Sequence, residues 1–231
     1  VIGHVTDTGN FVARHHGEVV ADVPAIALTD DAPVYGVEPR AQALPAPIDL
    51  ASVPPPADLR DAWLGMLGRP NLGSARWVYQ QYDHLVGANT VIRPGGDAAV
   101  VRIPDTQMGL ALTTDCAERH CELDPRGGGA AGVFEAARNI ACTGAVPSAI
   151  TNCLNFPNPE KGHTGWRLAQ AIEGMADACR ALGTPVVSGN VSLYNETDGN
   201  AIHPTPSVAM VGLLEGALPE LSGVFPEEGL E

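Results

Sequence analysis

Thr184-Pro185-Val186-Val187-Ser188-Gly189-Asn190-Val191-Ser192-Leu193-Tyr194-Asn195 is the stretch on which the reading of this chain turns. Within its apolar run, Ser188, Asn190 and Ser192 recur at a spacing of two. A β-strand sends every second side chain to the same face. Read as one strand over 186–193, the segment lines up a hydroxyl, an amide and a hydroxyl on one face. Val187, Val191 and Leu193 are then expected to pack on the other. Gly189 removes a side chain where a second backbone or a ligand could come close. The same pattern also suits an edge strand with a solvated polar face.

Working outward, the stretch sits in an alternation of strands and helices. The spacing predicts helices from Asp58 towards Leu67, over 74–86, over 130–143 and over 166–182, the last stopped by Gly183 and Pro185. Strands are expected at 98–103, 109–114, 148–154, 186–193 and 208–214. Val133, Ala137 and Ile140 mark the buried stripe of one long helix. Leu168, Ile172, Met175, Cys179 and Leu182 mark that of the other. Trp77, Tyr79 and Tyr82 supply aromatic bulk to the segment over 74–86. The segment over 36–57 is rich in proline and alanine and reads as an extended linker. Such an alternation makes an α/β or α+β domain with helices against a sheet.

The chain has 231 residues and a net charge of −14, and its 13 basic residues form no cluster. Wholesale phosphate-backbone binding is therefore not expected, and no nucleic-acid partner is assigned. No apolar run approaches the roughly 18 residues of a membrane span. The opening residues do not read as a signal peptide, so a cytoplasmic protein without membrane contact is expected. The five cysteines are odd in number and lack the spacing of a zinc site. They read as reduced, mostly buried thiols.

Several residues could carry chemistry. Asn152, at the end of a predicted strand, could donate to and accept from a ligand, or cap a turn. Glu135 and Asn139 are spaced i,i+4 and can act together. With Asp97 at a turn and Asp115 at a strand end they form a plausible oxygen cage for Mg²⁺, or a set of solvated and internally paired side chains. Gly127-Gly128-Gly129 before a helix suggests a phosphate-cradling loop, or only a flexible one. His15-His16 is expected on a hairpin ending in Gly17, with the two rings on opposite faces.

The stretch over 185–196 resembles the signature of the phosphoribosylformylglycinamidine synthase family. Further blocks resemble it in the same order: Trp77-Val78-Tyr79-Gln80-Gln81-Tyr82-Asp83, Pro94-Gly95-Gly96-Asp97-Ala98, Leu123-Asp124-Pro125, the segments over 135–145 and 149–161, and Ile202-His203-Pro204-Thr205-Pro206. The resemblance implies the α+β fold of an aminoimidazole ribonucleotide synthetase-like N-terminal domain. It also implies ATP- and Mg²⁺-dependent conversion of formylglycinamide ribonucleotide to the amidine in purine biosynthesis, through an iminophosphate. Ammonia would come from a glutaminase subunit, with a small accessory subunit as a further partner.

Carried over by position, the resemblance implies that Asn152 and Gly189 contact ATP, Asn190 gives an amide oxygen to Mg²⁺, and Ser192 binds substrate. Asn152 stands where the family often has aspartate, and Pro157 where it usually has glycine. Asp115, Glu135 and Asn139, with Asp97, would lie near an auxiliary nucleotide site. None of the residues reads as a general acid or base. The family's long form has two homologous halves. Residues 1–35 are accordingly expected to end a first-half C-terminal domain, 36–57 to link, 58–218 to form the second-half N-terminal domain, and 219–231 to begin the next linker. On this reading the chain is a fragment that lacks its first half and is inactive alone. Two alternatives stand beside it. One is a non-catalytic structural or auxiliary nucleotide-binding half. The other is another enzyme of the same superfamily: aminoimidazole ribonucleotide synthetase, selenophosphate synthetase or thiamine-monophosphate kinase.

Overall fold

The computed structural model describes residues 2–34, 36, 40–216 and 218. The expected linker start at 219–231 lies outside the described residues, as does Tyr35. Contacts divide the chain into two units, Val1–Glu38 and Pro39–Glu231.

The first unit is a hairpin of β1 (Asn10–His15) and β2 (Glu18–Pro24), antiparallel, with a register shift at Ala13/Arg14. Its turn is His16-Gly17, with φ of 49° and 88°, the left-handed pair that a two-residue hairpin turn requires. Asn10 Nδ2 donates to Asp22 Oδ1 at 2.8 Å across the strands. Because His16 is a turn residue, the expectation of opposed histidine rings fails. The two rings meet edge to face, with centroids 4.1 Å apart.

The second unit opens with α1 (Leu59–Leu67), capped by the Asp58 side chain accepting from Asp61 N–H, and a short α2 (Arg76–Tyr79). The helix expected over 74–86 shrinks to that single turn, and Trp77 and Tyr82 are each 71 % exposed. The strands follow: β3 (Thr90–Ile92), β4 (Ala99–Arg102), β5 (Gly109–Asp115), β6 (Val146–Asn155), β7 (Val186–Ser192), a small pair β8 (Glu196–Thr197) and β9 (Asn200–Ala201), and β10 (Thr205–Leu214). Between them lie α3 (Glu118–Leu123), α4 (Pro125–Cys142) and α5 (Thr164–Leu182). Six strands form one sheet in the order β3-β4-β5-β10-β6-β7. All neighbours are antiparallel except β6 and β7, which run parallel with α5 as the crossover. This is the α+β fold expected.

β10 alternates strictly between buried and half-buried residues, so the central strand has a closed and an open face. Val208, Met210 and Leu214 point to the closed face and join Val100, Ala111, Val133, Ile140, Ile150 and Phe156 in the core. The stripe expected on α4 is buried as read. On α5 the buried set is Ala171, Gly174, Met175, Ala178 and Cys179, whereas Ile172 is 43 % exposed. The α5 stripe is thus rotated towards small residues, and the reason is contact with α4.

That contact also overturns the reading of Gly127-Gly128-Gly129 as a loop. All three lie in the first turns of α4, started by Pro125 at the first helical position and by Asp124 Oδ1 accepting from Gly127 N–H at 3.0 Å. A Cβ on Gly128 would run into the backbone of Cys121, and one on Gly129 into the carbonyl of Ala171. In the facing helix, a Cβ on Gly174 would strike the carbonyl of Arg126. These glycines bring helix backbones together instead of opening a ligand cradle.

Candidate functional site

The register of β6 and β7 organises the residues expected at the site. Asn152 pairs with Gly189, Cys153 with Asn190, and Asn155 with Ser192. Paired residues of neighbouring strands project to the same face, so the set divides. Asn152 and Gly189 face the helices, whereas Asn190 and Ser192 face the open side. All four lie between the middle and the C-terminal end of two adjacent parallel strands.

On the helix side, a Cβ on Gly189 would lie 2.6 Å from Asn152 Oδ1. The space that glycine leaves is taken by the Asn152 amide. Among the described residues that amide makes no hydrogen bond, which leaves its oxygen and nitrogen available. The same face carries a row across four strands, Asp115–Val208–Asn152–Gly189, given by the pairing of β10 with β5 and β6. The row joins both expected sets.

At its far end Asp115 Oδ1 accepts from Asn139 Nδ2 at 2.7 Å, and its Oδ2 accepts from the Thr113 hydroxyl at 3.0 Å. Burial pushes the Asp115 carboxyl above its usual range, and nearby Glu135 adds to the rise. The bonds from Thr113 and Asn139 and the charge of Arg138 pull it back only in part. Asp115, Glu135 and Asn139 therefore do come together. Asp97 is exposed and borders the same cavity of about 670 Å³ as Asp115 and Asn139. Among the described residues no group of three or more histidine, cysteine, aspartate or glutamate side chains could hold a metal ion. A cation here would depend on amide and ligand oxygens.

The apolar residues of β7 depart from expectation. Val187 and Val191 are 67 % and 57 % exposed, so of the three apolar residues only Leu193 packs against the core. A register shift between Ile150 and Thr151 inserts an extra β7 residue, a bulge that turns Val187 towards the cavity. β7 is the last strand of its sheet, the alternative that the pattern left open.

Some residues of the site had no distinct signal in the sequence. Asn195 is the clamp between the strand ends. Its Nδ2 donates to Ser192 O at 2.7 Å and Phe156 O at 3.1 Å, and its backbone N–H reaches Phe156 O at 3.2 Å. Tyr194 before it holds a left-handed φ of 64°, strain that this clamp maintains. Lys161 bridges to Glu196 at 3.3 Å, tying the loop after β6 to β8. Arg167, mostly buried, binds Glu122 Oε2 and Gln42 Oε1, each at 2.7 Å. His163 Nδ1 meets Arg40 O at 2.8 Å, so the proline- and alanine-rich segment is pinned at 40–42. Asn195 could have been suspected from a polar residue just past a strand; the ion pairs could not.

All five cysteines are free thiols, but only Cys121 and Cys179 are buried, fewer than expected. Burial raises both, and Cys121 is pushed up to about 12. Among the described residues no helix is long and apolar enough to cross a membrane.

Comparison with known proteins places this geometry. Residues 95–214 match the family model of AIR synthase related protein, N-terminal domain. The phosphoribosylformylglycinamidine synthase subunit PurL of Moorella thermoacetica is 54 % identical over 217 residues, which is 93 % of this chain and 30 % of its own. That of an Anaeromyxobacter species is 51 % identical over 238 residues, 99 % of this chain and 31 % of its own. The chain thus spans about a third of the length of these curated relatives. Among solved structures, Thermotoga maritima PurL complexed with ATP superposes with a TM-score of 0.65 at 29 % identity, covering 90 % of this chain and 32 % of that one. PurLQS from the same organism gives 0.67 at 30 %, with the same coverage. With its mixed sheet, its helices on one face and a family model that matches 95–214, the chain belongs to the AIR synthase related family, and it is similar over nearly its whole length to about a third of the PurL subunits named above.

Proposed function

We propose that this chain supplies the second-half N-terminal domain of a synthetase that converts formylglycinamide ribonucleotide to formylglycinamidine ribonucleotide at the expense of ATP, in the cytoplasm. The observation that carries the reading is the placement of Asn152, Gly189, Asn190 and Ser192 side by side on two adjacent parallel strands. The relatives support it: T. maritima PurL has been solved with ATP, with ADP and with FGAR. Residues 1–35 would close a preceding domain, 36–57 would link, and 58–218 would form the domain itself, followed by a linker. A glutaminase and a small accessory subunit would be its partners; among the relatives, a structure of PurLQS from T. maritima has been solved.

The reaction transfers the γ-phosphoryl group of ATP to the formamide oxygen, releasing ADP. Ammonia then adds to the carbon and phosphate leaves. Positioning and charge neutralisation dominate such chemistry. Asn152 presents both a donor and an acceptor to the nucleotide. The exposed Asn190 offers a hard amide oxygen, the donor class that Mg²⁺ takes, and one such oxygen suits a shell otherwise filled by phosphate. Mg²⁺, when bound, would neutralise phosphoryl charge. The Ser192 hydroxyl accepts from Asn195 Nδ2 at 3.4 Å, which leaves its own proton to donate to a substrate oxygen. The rest of the metal shell would come from a preceding half of the protein, so the 231 residues alone are expected to be inactive.

The test is Asn190→Ala in the full-length synthetase, with ATP turnover expected to fall roughly tenfold or more, a loss of about 1.4 kcal/mol in the barrier term. A second reading, an auxiliary nucleotide site without turnover, draws on the Asp115–Asn139 pair beside the cavity. Unchanged kcat and KM for ATP in Asn190→Ala would favour it.

A further inference from the structure

Cys153 stands between two amides at the candidate site, in register with Asn190 on the neighbouring strand. Asn190 Nδ2 donates to Cys153 Sγ at 3.5 Å, and Asn155 Nδ2 reaches the same sulfur at 3.5 Å and Cys153 O at 3.2 Å. The sulfur therefore receives N–H groups from two side chains. An asparagine amide is planar, so turning its nitrogen towards one neighbour turns its oxygen away from it. Among the described residues the Asn190 side chain has no other hydrogen-bond partner, and its strand is exposed along nearly its whole length. Without the sulfur, nothing described decides which end of that amide faces the ligand.

We propose that Cys153 is a positioning residue: its sulfur holds Asn190 Nδ2 and so presents Asn190 Oδ1 to the divalent cation. This rests on the reading of Asn190 as a metal residue, given above. The thiol is not itself a ligand, because Mg²⁺ is a hard cation that takes oxygen. An N–H···S bond is weak and long, so it can aim the amide in the free protein and still yield as the cation settles. Asn155 shares the sulfur and keeps it occupied as an acceptor from the other side.

The experiment uses the full-length synthetase, Mn²⁺ as the cation and a non-hydrolysable ATP analogue. Cation binding is followed by electron paramagnetic resonance, and cation-free nucleotide binding by equilibrium dialysis in EDTA. Cys153→Val keeps a side chain of similar bulk and removes the acceptor. It should weaken Mn²⁺ on the order of fivefold, the worth of one hydrogen bond, and leave cation-free nucleotide binding unchanged. Cys153→Ser keeps an acceptor and should return to within about twofold of the parent. Should the valine variant fail to fold, Cys153→Ala is read in the same way. If Cys153→Val binds Mn²⁺ like the parent while Asn190→Ala loses it, the positioning role is wrong and the metal reading stands. If valine and serine weaken Mn²⁺ equally, the cysteine acts through packing and the proposal fails. If Asn190→Ala leaves Mn²⁺ binding intact, both are overturned.

Discussion

Two glycine-bearing segments of this chain make the same local request and have it met in different ways. Gly128, Gly129 and Gly174 let the backbones of α3, α4 and α5 approach until a Cβ would overlap carbonyl or main-chain atoms. Gly189 also admits a close neighbour, but that neighbour is the far end of the Asn152 side chain. A backbone carbonyl inside a helix cannot step aside without moving the helix. An amide on a rotatable side chain can. The first set therefore belongs to the stability of the fold, and the second to the disposition of one functional group.

The largest effect should come from Gly174→Ala. The added methyl faces the Arg126 carbonyl, and the α4–α5 contact must open. A loss of about 3 kcal/mol or more is expected, the upper range for overpacking. Urea denaturation measures it, and a loss below about 1 kcal/mol would remove the distinction between the two segments. Next comes Asn195→Ala, which deletes the side-chain half of the clamp between Ser192 and Phe156. Here about 1–2 kcal/mol should be lost, together with hydrogen-exchange protection at the Phe156 and Ser192 ends. An unchanged exchange pattern would mean that the clamp holds nothing.

Gly189→Ala sharpens the contrast from the other side. It should cost about 1 kcal/mol of stability or less, because Asn152 can rotate. ATP affinity of the full-length protein should nonetheless fall several-fold, since the displaced amide is the one expected to meet the nucleotide. Equal stability losses in Gly189→Ala and Gly174→Ala would break the comparison outright.

The smallest effect concerns Asp115. Its folded carboxyl is raised, chiefly by burial and then by Glu135, so the folded state holds the proton more tightly than the unfolded chain. The stabilisation this gives is complete below the unfolded value near 3.9 and is lost as pH climbs through the raised folded value. Asp115→Asn removes the dependence. The stability of the variant relative to the parent should therefore improve as pH rises from the acidic range towards neutrality. A difference that stays flat with pH in paired urea titrations would show that Asp115 ionises as freely folded as unfolded.

Much of the fold was legible because periodicity reports burial. The apolar run over 208–214, the Val133–Ala137–Ile140 stripe and the Gly183 stop on α5 are each local patterns with one physical meaning. The glycine run before α4 was not legible, since absence of a side chain records that something comes near without saying what. Val187 and Val191 misled for a related reason: apolar character states a preference for burial, and an edge strand with a bulge leaves it unmet. At the site, the spacing of Ser188, Asn190 and Ser192 foretold one shared face. That Asn152 and Gly189 lie on the other, and that Cys153 stands between two amides, depended on the β6–β7 register, which one strand cannot reveal about its neighbour. The pairing of Arg167 with Glu122 and Gln42 spans 45 and 125 residues of sequence, beyond the reach of any local pattern.

The parallel pairing of β6 and β7 has a thermodynamic corollary. Asn190 and Cys153 are 37 residues apart in sequence, and they meet only after α5 has crossed and β7 has added to the sheet edge. A ligand that needs both strand ends has no partner in the unfolded chain, so its concentration enters the folding equilibrium directly. At a hundredfold excess over the dissociation constant, such a ligand adds about 2.7 kcal/mol to stability. The edge strand and its crossover would then be held most firmly with both strand ends occupied, and any ligand that takes them would become part of what keeps that surface assembled.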